Sequence, residues 1–290
     1  MNSFAIVTDS ACDLSAALVR ELDVQVVPLG FVLGEQTYWD HPEERTLSIE
    51  EFYRRLAEGA LVTTHAVNVG QAEHVLKKRL EEGQDVLVLA FSSGLSATCA
   101  SFRVAAENLR EQYPGRRLVV VDTLCASLGQ GMLVWKAARL RAEGQTLDEV
   151  ARWVEQNRQS QCHWFTVNDL FHLKRGGRVS AATAVVGTAL QIKPILHVDH
   201  EGHLVKTGTA RGRRGALGAL VDKVGACGEK PDAQTMFISH SACEEDARWV
   251  AEQIRGRYGT REIIIGDIGP VIGAHTGVGC VALFFTGRER

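Results

Sequence analysis

Hydroxyl side chains and a glycine lie where one predicted strand passes into a helix. The apolar run Val86–Phe91 is followed by the sequence SSGLSAT, and a helical pattern begins at Cys99. Backbone N–H groups in the first turn of a helix have no intrahelical partner, and the helix dipole is positive there, so this segment can bind an anion. Its serines are Ser92, Ser93 and Ser96. Capping of the helix by Ser96 explains the segment without a ligand.

The same segment half resembles the nucleophile elbow of hydrolases. That motif is G-x-S-x-G, and Gly94-Leu-Ser96 supplies its first half, but Thr98 stands where the second glycine is required. An acyl hydrolase in which Ser96 acts with His275 and Asp267 is therefore an alternative. A third possible function is that of a protein-interaction module, in which a cleft between structural elements serves only as a scaffold.

Two more polar groups adjoin predicted strands or helices. Thr63-Thr64-His65 precedes a helix that is predicted to begin near Gly70. Its hydroxyls can donate hydrogen bonds to an anionic oxygen, and His65 can change charge near neutral pH. Thr8-Asp9-Ser10, followed by Asp13, ends the first predicted strand, where loops line the ligand crevice of open α/β sheets. Caps and turns explain both groups about equally well.

Two arginines flank a glycine pair in Arg175-Gly-Gly-Arg178. Their guanidinium groups and the backbone N–H groups of the turn can converge on a carboxylate or a phosphate. Solvated surface charge is the ordinary interpretation of such a sequence. A helix capped by Ser180 is predicted to follow.

Four glycines surround one histidine in the segment 269–279. This density is incompatible with an ordinary helix, so we predict a loop that bends closely around a ligand or a neighbouring element. His275 lies within it and is the strongest candidate for a functional histidine. The other histidines lack the clustering of metal ligands, and we assign no metal site.

Composition and motif content exclude several classes of protein. The 32 Lys plus Arg against 35 Asp plus Glu give a formal charge of −3, so nothing favours a nucleic-acid partner. Gly129-Gln-Gly131 lacks the third glycine of a dinucleotide motif, and no phosphate-binding P-loop sequence is present, so no cofactor is expected. The seven scattered cysteines indicate neither a disulfide framework nor a zinc site. Because the apolar runs are too short for a bilayer and the start lacks a targeting pattern, we expect a cytoplasmic protein that is not integral to a membrane.

Short apolar runs alternate with helical patterns, which predicts an α/β fold. Strands are predicted at Phe4–Val7, Val24–Leu29, Asp85–Phe91, Arg117–Val121, His163–Val167, Thr235–Ser239 and Glu262–Ile265. Hairpins that turn at Gly34 and at 200–203 are expected at sheet edges. No linker composition marks a boundary, so we predict two tightly joined α/β domains, residues 1–160, with a Rossmann-like pattern, and residues 161–290.

Taken in order, six segments resemble the DegV family, the fatty-acid-binding subunits of bacterial fatty acid kinase. The family patterns T-D-S-x-x-D-L, T-S, S-S-G-L-S-G-T, D-S-x-x-x-S-x-G-x-G, L-x-R-G-G-R and G-x-V-I-G-x-H-x-G-x-G all have counterparts across essentially the whole chain. The resemblance implies a tunnel between two α/β domains that holds a long-chain fatty acid. It also implies a partner, an ATP-binding fatty acid kinase subunit that converts the presented carboxylate to an acyl phosphate. The chain itself is then a lipid-binding subunit and no enzyme.

The resemblance also implies roles for individual residues. Thr64 and Ser96 match the threonine and serine that hold the carboxylate, and Ser93 of the same segment is a further ligand-binding candidate. Arg175, Arg178 and His275 match residues near the carboxylate or in phosphate transfer to it.

This chain departs from the family pattern in three places. His65 and Thr123 stand where serine is usual, and Ala97 stands where glycine is usual. Thr123 keeps a hydroxyl, whereas Ala97 adds a methyl group and His65 adds a titratable ring. Acyl preference is therefore left open.

Overall fold

The computed structural model describes residues 4–168, 170–179, 191–288 and 290. Strands and helices alternate along most of this length. The strands are β1 (Phe4–Asp9), β2 (Val24–Val27), β3 (Leu29–Leu33), β4 (Gln36–Asp40), β5 (Val62–His65), β6 (Asp85–Ala90), β7 (Leu118–Asp122), β8 (Gln161–Thr166), β9 (Ile192–Val198), β10 (Leu204–Arg211), β11 (Met236–His240), β12 (Ile263–Asp267) and β13 (Val281–Thr286). The helices are α1 (Ala16–Glu21), α2 (Ile49–Ala57), α3 (Val69–Glu81), α4 (Thr98–Arg110), α5 (Leu128–Ala142), α6 (Leu147–Asn157), α7 (Phe171–Arg175), α8 (Gly212–Cys227), α9 (Glu244–Tyr258) and α10 (Pro270–Thr276).

The first sheet is parallel and has the strand order β2-β1-β6-β7. Strand β6 lies at its centre and is apolar without alternation, as expected for a strand that is covered on both faces. Leu87 and Leu89 pack with α5 and α6, whereas Val86 and Val88 pack with α3 and α4 on the opposite face. The α/β prediction is confirmed here.

The other two sheets contain the predicted hairpins. Strands β4-β3-β5 form a small antiparallel sheet, and β3 turns back into β4 at Gly34, whose φ is +65°. The third sheet has the order β10-β9-β8-β13-β11-β12, and only its β11–β12 pair is parallel. The β9–β10 hairpin lies at its edge, as predicted. The predicted division at residue 160 falls in the turn Arg158–Ser160, between α6 and β8.

Helix α5 packs between the two larger sheets. It contacts β1 and β6 on one side and β8, β11 and β13 on the other. Ten of its residues are buried, which is typical of a helix enclosed by protein on all sides. The two halves of the chain therefore share one hydrophobic core, in which Leu128 of α5 lies with Phe165 and Phe284 of the third sheet.

Three sequence predictions need correction. The segment 269–279 is not simply a loop, because Pro270 starts the short helix α10 and its fixed φ suits a first helical turn. The single strand predicted at Val24–Leu29 is two strands, since Pro28 has no backbone N–H to continue the ladder. Thr63-Thr64-His65 lies in strand β5 and forms no helix cap. Strand β13 was not predicted, and Ser180 lies outside the described residues.

Among the described residues, no helix combines the length and the apolar character that crossing a bilayer requires.

Gly129 lies at the start of α5, where the helix comes closest to the third sheet. A Cβ atom at this position would lie 2.1 Å from His163 Nε2 and 2.8 Å from Phe284 Cδ1. We expect Gly129→Ala to lower the free energy of unfolding by about 1–3 kcal/mol through overpacking, measured by urea denaturation. Gly218→Ala in α8 is the matched control, because nothing lies within 4 Å of its added methyl group. The free energy of unfolding of the control should rise by about 0.5–1 kcal/mol. Equal stability of the two variants would contradict the close approach of α5 to the third sheet.

Candidate functional site

A cavity of about 250 Å³ opens between the two halves of the chain. Most of its wall is apolar, and both halves contribute to it: Leu29, Phe91, Leu95, Phe165, Val198 and Phe284 are examples. The polar lining includes Thr64, His65, Ser96, Arg178 and His275. The structure thus brings together Thr64, Ser96, Arg178 and His275, which the sequence singled out although they are far apart along the chain.

Thr64 and His275 form the central polar contact of the cavity. Thr64 Oγ1 lies 2.8 Å from His275 Nε2, which joins β5 to α10. Burial, reinforced by the nearby Arg178 and Arg175 guanidinium groups and by His172, lowers the pKa of His275 to about 4. The imidazole is therefore neutral at pH 7. When its proton is on Nε2, the ring donates to Thr64 and leaves the threonine hydroxyl free to donate to an anionic ligand.

The Arg175-Gly-Gly-Arg178 turn packs directly on the His275 ring. A Cβ atom at Gly176 would lie 2.1 Å from His275 Nδ1, so only glycine fits at this point. Nδ1 itself is buried and has no hydrogen-bond partner among the described residues. The turn therefore closes one side of the imidazole.

The two arginines of that turn have different positions. Arg178 is half-buried in the cavity wall, where its guanidinium donates to Gly176 O at 2.5 Å and to Leu95 O at 3.2 Å. Arg175 is exposed and does not line the cavity; its guanidinium carbon lies 5.5 Å from the centre of the Phe171 ring. Arg178 can therefore contact a ligand in the cavity, whereas Arg175 is available from outside.

Ser96 lines the cavity just before helix α4. The N-cap residue is Ala97, and Ser96 Oγ instead accepts from the Thr98 N–H at 3.2 Å and lies 2.9 Å from Thr98 Oγ1. Ala97 also lines the cavity, so the methyl group that departs from the family pattern lies in its wall. Ser93 is exposed and outside the lining, with its backbone N–H donating to Asp122. The position of Ser96 thus favours it over Ser93 as a ligand contact.

No hydrogen bond between described residues assembles the triad of the hydrolase alternative. Ser96 is bonded to Thr98 and His275 to Thr64, while Asp267 Oδ1 lies 3.6 Å from His240 Nδ1. A nucleophile needs a base within hydrogen-bond reach, and the base a group that orients it. The structure therefore gives this alternative no support.

The Thr8-Asp9-Ser10 segment is structural and does not line the cavity. Asp9 is fully buried and accepts from the backbone N–H groups of Phe91 and Ala11. Burial raises the pKa of Asp9 to about 7. Thr8 donates to Leu89 O, and Ser10 accepts from the Leu29 N–H. These contacts tie β1 to the loops that carry the cavity wall.

Two buried carboxyl groups hold the beginning of helix α10. Asp13 Oδ1 accepts from the Gly269 N–H at 2.9 Å, and Asp40 Oδ2 accepts from the Val271 N–H at 3.5 Å. Arg45 pairs with Asp40 at 3.1 Å. Burial raises the pKa of Asp13 to about 8 and raises that of Asp40 as well. Because α10 carries His275, these two residues of the first half set the position of the imidazole.

Sequence reasoning missed several of these residues. Asp40 lay outside every candidate segment, and its neighbours in the sequence give no signal of its role. Ser127 received no individual prediction, yet it lines the cavity and donates to Asp13 Oδ2 at 2.5 Å. The backbone φ of Ser127 is +54°, and no pattern in the sequence indicates this conformation. His163 also lines the cavity, and in the sequence it reads only as part of a buried strand.

Comparison with known proteins identifies the family. The sequence model of the DegV family matches residues 3–288. A DegV domain-containing protein of Clostridium perfringens is 42% identical over 290 residues, which cover 100% of this chain and 99% of that protein. The chain belongs to the DegV family. The predicted resemblance is thereby confirmed.

Solved structures of DegV proteins have the same fold. A Thermus thermophilus DegV family protein, described as fatty-acid binding, is 33% identical, with a TM-score of 0.86 over 98% of this chain and 99% of that one. The DegV protein of Bacillus subtilis, described as a fatty acid binding protein, is 27% identical, with a TM-score of 0.84 over 99% and 100% of the two chains. The predicted architecture of two α/β domains is confirmed by this agreement.

The protonation state of His275 in this DegV protein can be measured directly. We expect the imidazole ¹⁵N shifts to report a neutral ring from pH 8 down to pH 5, with protonation near pH 4, because burial and neighbouring cations disfavour the imidazolium. The spectrum of His275→Gln assigns the resonance. Protonation of His275 near pH 6.5 would contradict this description of the site.

Proposed function

We propose that this DegV protein binds a long-chain fatty acid in the cavity and presents its carboxylate to an ATP-dependent fatty acid kinase partner. The observation that carries the proposal is the pairing of an apolar cavity with the contact between Thr64 and His275 in its wall. The fatty-acid-binding relatives of the same family support the class of ligand. No cofactor enters the proposal, since ATP belongs to the partner.

The acyl chain supplies most of the affinity. Transfer of roughly 14 methylene groups from water, at about 0.8 kcal/mol each, favours binding by about 11 kcal/mol before ordering costs. A charge-assisted hydrogen bond contributes only about 1.5–3 kcal/mol. The apolar wall therefore retains the ligand, and the polar residues orient it.

Four residues of the cavity wall hold the head group in this proposal. Thr64 and Ser96 donate hydroxyl hydrogen bonds to the carboxylate, and His275 orients Thr64. Arg178 supplies the permanent positive charge. Its guanidinium is fixed by the carbonyl groups of Gly176 and Leu95, so little side-chain freedom is lost when the carboxylate arrives.

Arg175 acts at a later stage. Its exposed guanidinium lies outside the cavity wall but on the same turn as Arg178. Such a group is suited to contact the phosphates that a kinase subunit brings to the carboxylate. Binding and phosphate transfer therefore depend on different arginines.

Mass spectrometry of an organic extract tests the binding step. The purified protein should release about one fatty acid per chain, while Thr64→Val and Ser96→Ala should weaken binding by about tenfold or more through loss of a hydrogen bond to a charged group. Thr63→Val and Ser93→Ala are matched controls on exposed neighbours and should bind normally. Repeated recovery of no fatty acid from folded wild-type protein would refute the proposal, and unchanged affinity in both site variants would refute the head-group assignment.

Acyl-phosphate formation with the kinase subunit of the same organism tests the division between the arginines. Arg175→Ala should lower the rate about tenfold or more while the fatty-acid affinity changes by less than about twofold, because its side chain is outside the cavity. Arg178→Ala should weaken binding itself. Arg152→Ala, which removes an exposed arginine of α6, controls for the change in net charge. The opposite ranking of Arg175 and Arg178 would overturn these roles.

A further inference from the structure

We propose that a second copy of this chain pairs with the open edge of strand β12, so that the third sheets of two chains join into one. Strand β12 is the last strand of its sheet, and among the described residues a strand pairs with it only on the β11 side. We call the other side the open edge. The described lining of the cavity includes no residue of β12, so the interface does not rest on the proposed function.

Two hydrogen bonds establish which backbone groups of β12 point to the open edge. The Met236 N–H of β11 donates to Glu262 O at 3.1 Å, and the Ile268 N–H donates to a carbonyl oxygen of β11 at 2.7 Å. The even-numbered positions therefore face β11. Because successive residues of a strand direct their backbone groups to opposite sides, the N–H and C=O groups of Ile263 and Ile265 point to the open edge.

The open edge lacks the features that keep exposed strands from pairing. Edge strands of soluble proteins are protected by bulges, prolines or charged side chains. The opposite edge of the same sheet has such protection, since the register of β10 with β9 shifts between Lys206 and Gly208. Strand β12 instead carries Ile263-Ile264-Ile265 in regular register with β11. Both faces of these isoleucines are covered, by the cluster under α9 and by the cluster around α5, so the edge is the side that is available for pairing.

The charges at the two ends of β12 select one register for the pair. Arg261 precedes the strand and Asp267 ends it, and both are exposed. Antiparallel strands exchange hydrogen bonds between residues that both face the shared edge, so Ile263 can pair with Ile265 of the second copy. In this register Arg261 lies opposite Asp267 of the second copy at both ends of the interface. A shift to either neighbouring allowed register places Arg261 opposite an uncharged residue and loses both ion pairs.

Both end charges are available to a second copy. Among the described residues, Asp267 has one ion-pair contact, to His240 Nδ1 at 3.6 Å, and burial lowers the pKa of that imidazole. The ring is therefore neutral at pH 7 and leaves the carboxylate charge in place. Arg261 makes no ion pair within the described part of the chain, since the acidic groups of α9 pair with other arginines. Two-fold symmetry would form the contact between Arg261 and Asp267 twice.

Analytical ultracentrifugation of the full chain over a concentration series tests the pairing. Arg261→Asp sets like charges opposite each other and should raise the dissociation constant of the dimer about tenfold or more. Adding Asp267→Arg restores opposite charges and should return the constant to within about threefold of the wild-type value. Arg103→Asp, at an exposed position of α4, is the matched control and should leave the constant unchanged. Wild-type protein that stays monomeric up to about 1 mM, or a dimer that Arg261→Asp does not weaken, would overturn the proposal.

Amide hydrogen exchange measured by NMR tests the register without any substitution, so it does not depend on the folding of a variant. The amides of Ile263 and Ile265 should exchange at least about tenfold faster when dilution converts the dimer to the monomer. The amide of Ile264 faces β11 and should exchange slowly in both states. A dimer in which Ile263 and Ile265 exchange as fast as in the monomer would use another surface, and that result would overturn the proposal.

Discussion

The site depends on one constraint, the hydrogen bonds that Asp13 and Asp40 accept at the start of α10. Both carboxyl groups come from the first half of the chain, and the backbone N–H groups that they accept from belong to the second half. Unpaired donors at the start of a helix are costly to bury, so α10 has one favourable position against the first half. In that position, α10 places His275 within hydrogen-bond distance of Thr64. The polar contact in the cavity is thus a product of how the halves dock.

Close backbone contacts support the same docking. Tyr53 donates to the carbonyl oxygen of Ile268 just before α10, and a Cβ atom at Gly273 would lie 2.4 Å from the Tyr53 hydroxyl oxygen. Gly129 plays the equivalent part between α5 and the third sheet. A large side chain at either point would separate elements that share a core, since packed interiors have little free space. Such contacts explain in part why 28 of the 290 residues of this chain are glycine.

The sequence allowed much of the fold to be predicted, because buried strands and capped helices leave a local signature. Strand β6 and both hairpins were found in this way. The helix α10 was not, since its glycines resemble a loop and its stability comes from Asp13 and Asp40, which are distant in sequence. The ordered family patterns singled out the candidate site residues, and four of these residues line the cavity: Thr64, Ser96, Arg178 and His275. The geometry of the site was not predicted, because the contact between Thr64 and His275 spans 211 positions and no local pattern encodes it.

The charge of the cavity lining affects the substrate and the product of the proposed reaction differently. Among the described residues of the lining, Arg178 is the one permanent charge, and His275 adds none at neutral pH. A single guanidinium matches the single negative charge of a carboxylate. An acyl phosphate carries a negative charge of nearly two, so the same wall leaves part of it uncompensated. Under the proposed function, the neutrality of His275 therefore favours binding of the acid over binding of its phosphorylated product.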